Sequence, residues 1–448
     1  VSVALLDENE NWLEIWSGED NTANCGDFLR IDFIAPSFTS RSIRIVLDTR
    51  RVSGWNQLDA VKLIGTRDDD FQLLFVEIEK EKTEIPESLV SYTANDYDND
   101  GWPDLIGIQN AVFPNLFTLL HTEGNGELKD RAKILPISGI SGHNAGMIFA
   151  DYDNDGDSDI FMAHGSVARG TAGKDILLRN DRGHFVDVSA QAGFTDSLVS
   201  SMAIWFDYNR DSFLDLYVGH ADIPGANDQS NYLYRNNGDG TFTNVTAAVG
   251  LDIYFHDTDT EALFGHSPGT AISVIGADFN ADSWQDLYIP VAGGKNRLFL
   301  NDGTGHFIDA TTIDIAEPGF SALTSIGDID NDGDIDIYQA VNGGNLEGTE
   351  EGARKRRTVL LMNLGEGAFL DVTEGVGLAL PEIIEGTFYA NLFDFDNDGD
   401  VDLFTSTPAL FYINNGDGFF VESTLSSDLP GSYALGDYNN DGYLDTWF

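Results

Sequence analysis

The residues of this chain best able to do chemistry are seven clusters of aspartate, each spread over nine positions. They read DYDNDGWPD at 96–104, DYDNDGDSD at 151–159, DYNRDSFLD at 207–215, DFNADSWQD at 278–286, DIDNDGDID at 328–336, DFDNDGDVD at 394–402 and DYNNDGYLD at 437–445. The shared form is Asp-x-[Asp/Asn]-x-Asp-[Gly/Ser]-x-x-Asp. Ca²⁺ takes about six to eight oxygen ligands, many of them carboxylate. In a loop of this kind positions 1, 3, 5 and 9 turn side-chain oxygens inward and position 7 offers its carbonyl. The first loop supplies Asp96, Asp98, Asp100 and Asp104 with the Trp102 carbonyl, and the second Asp151, Asp153, Asp155 and Asp159 with Asp157 at position 7. The third supplies Asp207, Asn209, Asp211 and Asp215 with Phe213, and the fourth Asp278, Asn280, Asp282 and Asp286 with Trp284. The fifth has Asp328, Asp330, Asp332 and Asp336 with Asp334, and the sixth Asp394, Asp396, Asp398 and Asp402 with Asp400. The seventh has Asp437, Asn439, Asp441 and Asp445 with Tyr443. Up to seven structural Ca²⁺ are expected.

Two carboxylates 4 Å apart repel by ~4 kcal/mol at an effective dielectric near 20, so a divalent ion converts a repulsive loop into a fastener. A water-solvated acidic turn is an adequate account of one copy, but not of seven in one strand context. The loops hold neither thiol nor imidazole, so zinc and copper are poor candidates, and magnesium, which needs tighter octahedral geometry, comes second. Position 6 is glycine in five copies, while Ser212 and Ser283 replace it in the third and fourth. With Asn209 and Asn280 also at position 3, those two loops are expected to bind more weakly.

The elements that position these loops follow from their spacing. Loop starts lie 55, 56, 71, 50, 66 and 43 residues apart, the size of one four-stranded propeller blade. A small-residue apolar strand enters each loop and a second leaves it, as in DIFMA and DLYVG. A third strand follows (DILLRN, NYLYRN, NRLFLN, TVLLMN, LFYIN), then a glycine turn such as NNGDGTF or NDGTGHF, then a fourth. Spaced glycines supply the positive φ of tight hairpins. The expectation is an all-β chain: a seven-bladed β-propeller with calcium loops over 86–448. The seventh copy ends within its second strand, so 70–85, and FQLLFVEIEKEKTEI at 71–85 in particular, is expected either to link or to supply strands that close the ring.

The loop, its following strand and the NDGxGxF turn together resemble the FG-GAP/VCBS repeats of integrin α-subunit propellers and of acidic secreted cartilage-type proteins. The resemblance implies seven blades with calcium at their outer strand turns, and adhesion, lectin or matrix roles outside the cell. Residues 1–69 lack the repeat. Their stretch SIRIVLDTRRVSGWNQLDAVKLIG resembles the C-terminal half of a galactose-binding-like jelly roll, which implies a partial β-sandwich and a longer precursor. The chain opens on Val1 with no charged-then-apolar leader, as a processed or trimmed product does.

Charge narrows the partners. Twenty-four Lys and Arg oppose 75 Asp and Glu, a net −51. Nucleic acid and anionic membrane surfaces both need a basic footprint, so neither is expected, and no apolar run is long enough to span a bilayer. The single cysteine, Cys25, excludes an internal disulfide and reads as a buried small group. His143, His164, His220 and His266 lie near strand ends, where satisfied structural roles are commoner than a pocket. Arg354, Lys355, Arg356 and Arg357 form a basic run that reads as a solvated loop, with docking on an acidic patch of another copy as the rival. Asn244 is a possible glycosylation acceptor in FTNVT. Trp102, Trp205 and Trp284 are expected to pack blades, with stacking on sugars as the alternative. Carboxylates abound without a paired nucleophile and base. The leading expectation is therefore a non-enzymatic, calcium-binding extracellular protein, secreted or at the cell surface. It would serve adhesion or a surface or matrix assembly, filaments included, its partners being other copies or extracellular protein or glycan ligands. A carbohydrate-binding lectin and an accessory part of a larger secreted enzyme are the alternatives.

Overall fold

Each acidic loop closes an antiparallel hairpin of one fixed register. The residue just before position 1 pairs with position 9: Asn95 with Asp104, Ala150 with Asp159, Phe206 with Asp215, Ala277 with Asp286, Gly327 with Asp336 and Phe393 with Asp402. The seventh copy keeps that register, Gly436 pairing with Asp445. The computed structural model describes residues 2–6, 12–17, 43–46, 89–109, 117–122, 128–136, 144–166, 171–220, 231–252, 270–271, 273–292, 295–316, 321–341, 358–378, 390–394, 398–406, 409–423, 434–436 and 445–447. They divide into two compact units, Val1–Ile85 with Glu123–Leu128 and Pro86–Thr122 with Lys129–Phe448.

In the first unit Trp12–Ser17, Ser2–Leu6 and Ile43–Val46 form a three-stranded antiparallel sheet, in that order. The jelly-roll stretch otherwise lies outside the described residues, as do Cys25 and the ring-closing segment 71–85.

The second unit is a β-propeller. Six repeats each build an antiparallel sheet whose four core strands follow chain order. The third blade is typical, running Ser200–Phe206, Asp215–His220, Tyr232–Asn236, Phe242–Asn244. The second blade carries two further short strands, Thr171–Lys174 and Ser197–Leu198. The expected count of seven full blades is not what is seen. There are six among the described residues, and the seventh repeat contributes a two-stranded hairpin, Ala434–Gly436 with Asp445–Trp447. The first strand of that hairpin lies against Leu89–Asn95, the first strand of the first blade.

Burial on both faces explains the apolar second strands. In the third blade Leu216 and Val218 enter the core shared with the second blade, while Tyr217 enters the core shared with the fourth. In the fourth, Leu287 and Ile289 face back and Tyr288 faces forward. A strand sandwiched between two sheets has no solvent face and so loses the usual apolar–polar alternation. Five such cores join the six blades. Because strands one and two, and strands three and four, are joined at the same end, acidic loops and glycine turns share one rim of each blade.

Candidate metal loops

Within each loop the backbone is organised by its own aspartates. The position-1 carboxylate accepts from the N–H groups of positions 5 and 6: Asp151 from Asp155 and Gly156 at 3.0 Å each, and Asp328 from Asp332 at 3.0 Å and Gly333 at 3.1 Å. The position-5 carboxylate accepts from the N–H of position 7, as Asp155 does from Asp157 at 3.0 Å. Position 4 takes a left-handed φ, between +57° and +60° in the first five loops. Position 6 is left-handed too. Glycine reaches φ of +91° to +100° there, and Ser212 and Ser283 accept +71° while keeping the same bonds to Asp207 and Asp278. The serine loops therefore fold like the others, at a conformational cost glycine avoids.

Position 9 is the anchor. Asp104, Asp159, Asp215, Asp286, Asp336 and Asp402 are all at most 1% exposed. One oxygen of Asp159 accepts from Tyr152 N–H at 3.1 Å and the other from Asn180 N–H at 2.7 Å. The same pair of bonds recurs at Asp286 and Asp336. Burial pushes these carboxyls up, Asp159 and Asp215 to about 8 and Asp104, Asp286 and Asp336 to about 7, although the backbone bonds pull the other way.

Among the described residues, three loops bring acidic groups together. Asp96, Asp98 and Asp100 converge in the first, Asp151, Asp153 and Asp159 in the second, and Asp328, Asp330 and Asp332 in the fifth, with ligand atoms within 4.8 Å of one another. At position 3 one carboxylate oxygen each of Asp98, Asp153 and Asp330 is buried without a hydrogen-bond partner. Burial, followed for Asp153 and Asp330 by neighbouring loop carboxylates, raises the pKa of these side chains. In the third and fourth loops position 3 is spent internally. Asn209 and Asn280 accept from Asp211 and Asp282 N–H, and Asn280 also donates to the Asp282 carboxylate at 3.0 Å. The sixth loop shows the same framework at Asp394, Asp398 and Asp402, while Asp396 lies outside the described residues, as do Asp437, Asn439, Asp441 and Tyr443 of the seventh.

In the second to sixth blades the position-7 side chains turn to the glycine turn of their own blade. Asp157 accepts from Arg182 N–H at 2.9 Å. A Cβ on Gly238 would come within 2.8 Å of the Phe213 ring, so that turn requires glycine twice over, for space and for its φ of +72°.

Two devices were missed by sequence reasoning, though their letters recur. The asparagine ending each third strand spans two blades. Asn236 Nδ2 donates to Tyr152 O of the preceding blade at 2.8 Å and to Leu214 O of its own at 3.1 Å, while its Oδ1 accepts from Gly238 N–H at 2.9 Å. Asn180, Asn301, Asn363 and Asn414 repeat the reach, to Tyr97, Tyr208, Phe279 and Ile329. Each acceptor is loop position 2, whose apolar side chain is buried in the core shared with the following blade. In the first blade Thr122 stands in the asparagine's place, its N–H on Asp104 and its hydroxyl on Pro103 O.

The second device brings an imidazole to a loop whose own nine residues hold none. His121, from the third strand Phe117–Thr122, reaches the first loop: its Nδ1 lies 3.1 Å from Asp104 Oδ1 and 3.4 Å from Asp98 Oδ2. It comes from a different strand, so the nine-residue pattern does not contain it.

Other singled-out residues have structural partners. His164 Nδ1 lies 3.1 Å from Lys174 O and the His220 ring packs edge-on against Tyr232, while His143, His266 and the basic run 354–357 lie outside the described residues. Trp205 stacks on Tyr152 in an interblade core, Arg210 covers the Trp284 ring at 4.9 Å, and Trp102 is half-buried. Asn244 is exposed, and its Oδ1 accepts from Thr246 N–H and hydroxyl. Asp187 and Ser189, and Asp371 and Thr373, make the same turn in other blades.

Comparison with known proteins agrees with the repeat pattern. The family described as FG-GAP-like repeat matches residues 96–162, 219–289, 278–338 and 394–447, together more than half of the chain. Cartilage acidic protein 1 of Homo sapiens is 26% identical over 339 residues, covering 71% of this chain and 47% of that protein. That of Mus musculus is 25% identical, covering 71% and 48%. The chain thus spans about half the length of these curated relatives. Among solved structures, an Agrocybe aegerita lectin that recognises non-reducing terminal N-acetylglucosamine is 18% identical, with a TM-score of 0.49 over 81% of this chain and 85% of the lectin. The V. cholerae biofilm matrix protein Bap1 is 15% identical, with a TM-score of 0.33 over 63% and 39%. No helix among the described residues is long and apolar enough to cross a membrane.

Proposed function

The chain belongs to the FG-GAP-like repeat family, and from that premise we propose that it is a non-enzymatic extracellular protein whose calcium-stabilised propeller serves adhesion or the assembly of a surface or matrix. The observation that carries the calcium part is the orphaned oxygen at position 3. Asp98, Asp153 and Asp330 each hold a carboxylate oxygen away from solvent with no donor. Such a group is costly unless a hydrogen bond or a cation compensates it. In the second and fifth loops the converging donors are all oxygen, the set a hard cation of high coordination number uses. Asp151, Asp153 and Asp159 would hold the ion in the second loop, and Asp328, Asp330 and Asp332 in the fifth. Bound Ca²⁺ would supply the positive charge that the loop backbone does not.

The adhesive or matrix role is supported by the name of the cartilage relatives and by an acidic rim suited to calcium-bridged contact with other copies or with extracellular protein or glycan ligands. In this reading the hairpin of Ala434–Gly436 with Asp445–Trp447 belongs to a seventh blade. The placement of Ala434–Gly436 beside the first strand of the first blade supports a ring that closes there.

The test is thermal unfolding of the chelator-stripped full chain during Ca²⁺ titration. Because an ion that binds only the folded state stabilises it by mass action, Tm should climb steadily with Ca²⁺ through the ~10⁻⁴–10⁻³ M range of extracellular modules. Equal Tm in millimolar Ca²⁺ and in chelator sinks the calcium reading. Calcium-dependent self-association or binding to matrix components, measured by sedimentation, checks the adhesive part. Behaviour as an inert monomer in both assays refutes it.

A further inference from the structure

We propose that the first acidic loop is a mixed imidazole–carboxylate site for a divalent transition ion of the zinc or cobalt class, built from His121, Asp98 and Asp104. It rests on the calcium reading only in treating the loops as cation cradles, and it assigns this one loop a different metal.

His121 is 5% exposed, and its Nδ1 makes no hydrogen bond. It is nevertheless aimed into the loop, with Nδ1, Asp98 and Asp104 ligand atoms all within 4.8 Å of one another. Tyr97 packs edge-on to the ring with centroids 6.1 Å apart, which limits its freedom to swing away. Zinc binds His nitrogen and carboxylate oxygen at about 2.0–2.2 Å in a tetrahedron, which places neighbouring ligand atoms roughly 3.3–3.6 Å apart around the ion. The separation of 3.4 Å to Asp98 meets that spacing, and that of 3.1 Å to Asp104 reaches it with a shift of a few tenths of an ångström. Calcium takes oxygen and gains nothing from imidazole, whereas borderline transition ions prefer it.

The position is special to this blade. In the second blade Arg179 stands in the equivalent place, and its guanidinium is engaged by Asp181 at 2.9 Å. The rival occupant is a proton. A charged His121, with Arg131 Nη1 3.8 Å from Asp98 Oδ2, would neutralise the loop from within and leave no need for metal.

The experiment titrates Co²⁺ into the stripped full chain held in saturating Ca²⁺, reading the visible d–d bands, with Zn²⁺ as competitor. Wild type should take up one equivalent of Co²⁺ that Zn²⁺ displaces and Ca²⁺ does not. Loss of an outer-shell partner alone weakens metal sites roughly 10–100-fold, so His121→Gln should weaken Co²⁺ binding at least tenfold while leaving the Ca²⁺-dependent rise in Tm. Equal Co²⁺ binding and spectra in wild type and variant overturn the proposal. Should the variant not fold, long-range ¹H–¹⁵N spectra of the wild-type imidazole decide. A His121 Nδ1 resonance shifted by Zn²⁺ supports the site, and one that does not move refutes it. A calcium-insensitive Tm alongside histidine-dependent Co²⁺ binding would sink the calcium reading and leave this one standing, and the converse result would do the opposite.

Discussion

Asp153 shows how one side chain can oppose the fold alone and favour it with a partner. Its orphaned oxygen sits among Asp151 and Asp159, and burial raises its pKa. Asp153→Asn should raise Tm in chelator by roughly 1–3 °C and lower it by a similar amount in saturating Ca²⁺. A crossing of that kind, seen by scanning fluorimetry, separates a ligand from a merely acidic turn. The position-9 carboxyls make a related prediction for pH. Their folded values of about 7 to 8 lie above the ~3.9 of an unfolded aspartate. The folded metal-free chain therefore binds more protons than the unfolded one. The stability these groups give is full below about pH 4 and lost as pH rises through 7 to 8. Tm in chelator should fall from pH 5 to pH 8, and Ca²⁺, which competes with those protons, should flatten or invert the slope.

At the scale of the strand and turn, the asparagine that closes each third strand is the joint between neighbours. Asn236→Ala leaves Tyr152 O, Leu214 O and Gly238 N–H without their partner. With about 1–3 kcal/mol for an unsatisfied buried group, we expect a loss of about 2–4 kcal/mol in chemical denaturation with Ca²⁺ present. Asn236→Asp should fare no better, since it replaces two donors by a charge beside Asp215. The loops, the glycine turns and the apolar strands were legible in the sequence because each is local: the spaced aspartates, the αL glycines and the apolar runs each lie within a few residues of chain. The joint was not. Its letters stood in plain view at the ends of YLYRN and VLLMN, but its acceptors lie 83 to 93 residues back. His121 was hidden for a similar reason, since it enters the first loop from another strand and nothing in the nine-residue pattern points to it.

At the scale of the whole molecule, the described residues share stability among five repeated interfaces, each holding an apolar core and an asparagine bridge. The first blade breaks the series. Thr122 keeps the bond to its own Asp104 and spends its hydroxyl on Pro103 O, so it has no amide to send backward. Among the described residues, the first blade is consequently the zip end of the series. Hydrogen exchange should find the amides of Leu89–Gln109 and Phe117–Thr122 opening before those of Ser200–His220 and Tyr232–Asn236, and equal protection of the two would show that some other tie serves there. Among the described residues, a propeller bridged at five successive blade boundaries but given no backward amide by Thr122 can be loosened at its first blade without dismantling the rest, so any force or partner that pries the blades apart would find its purchase there.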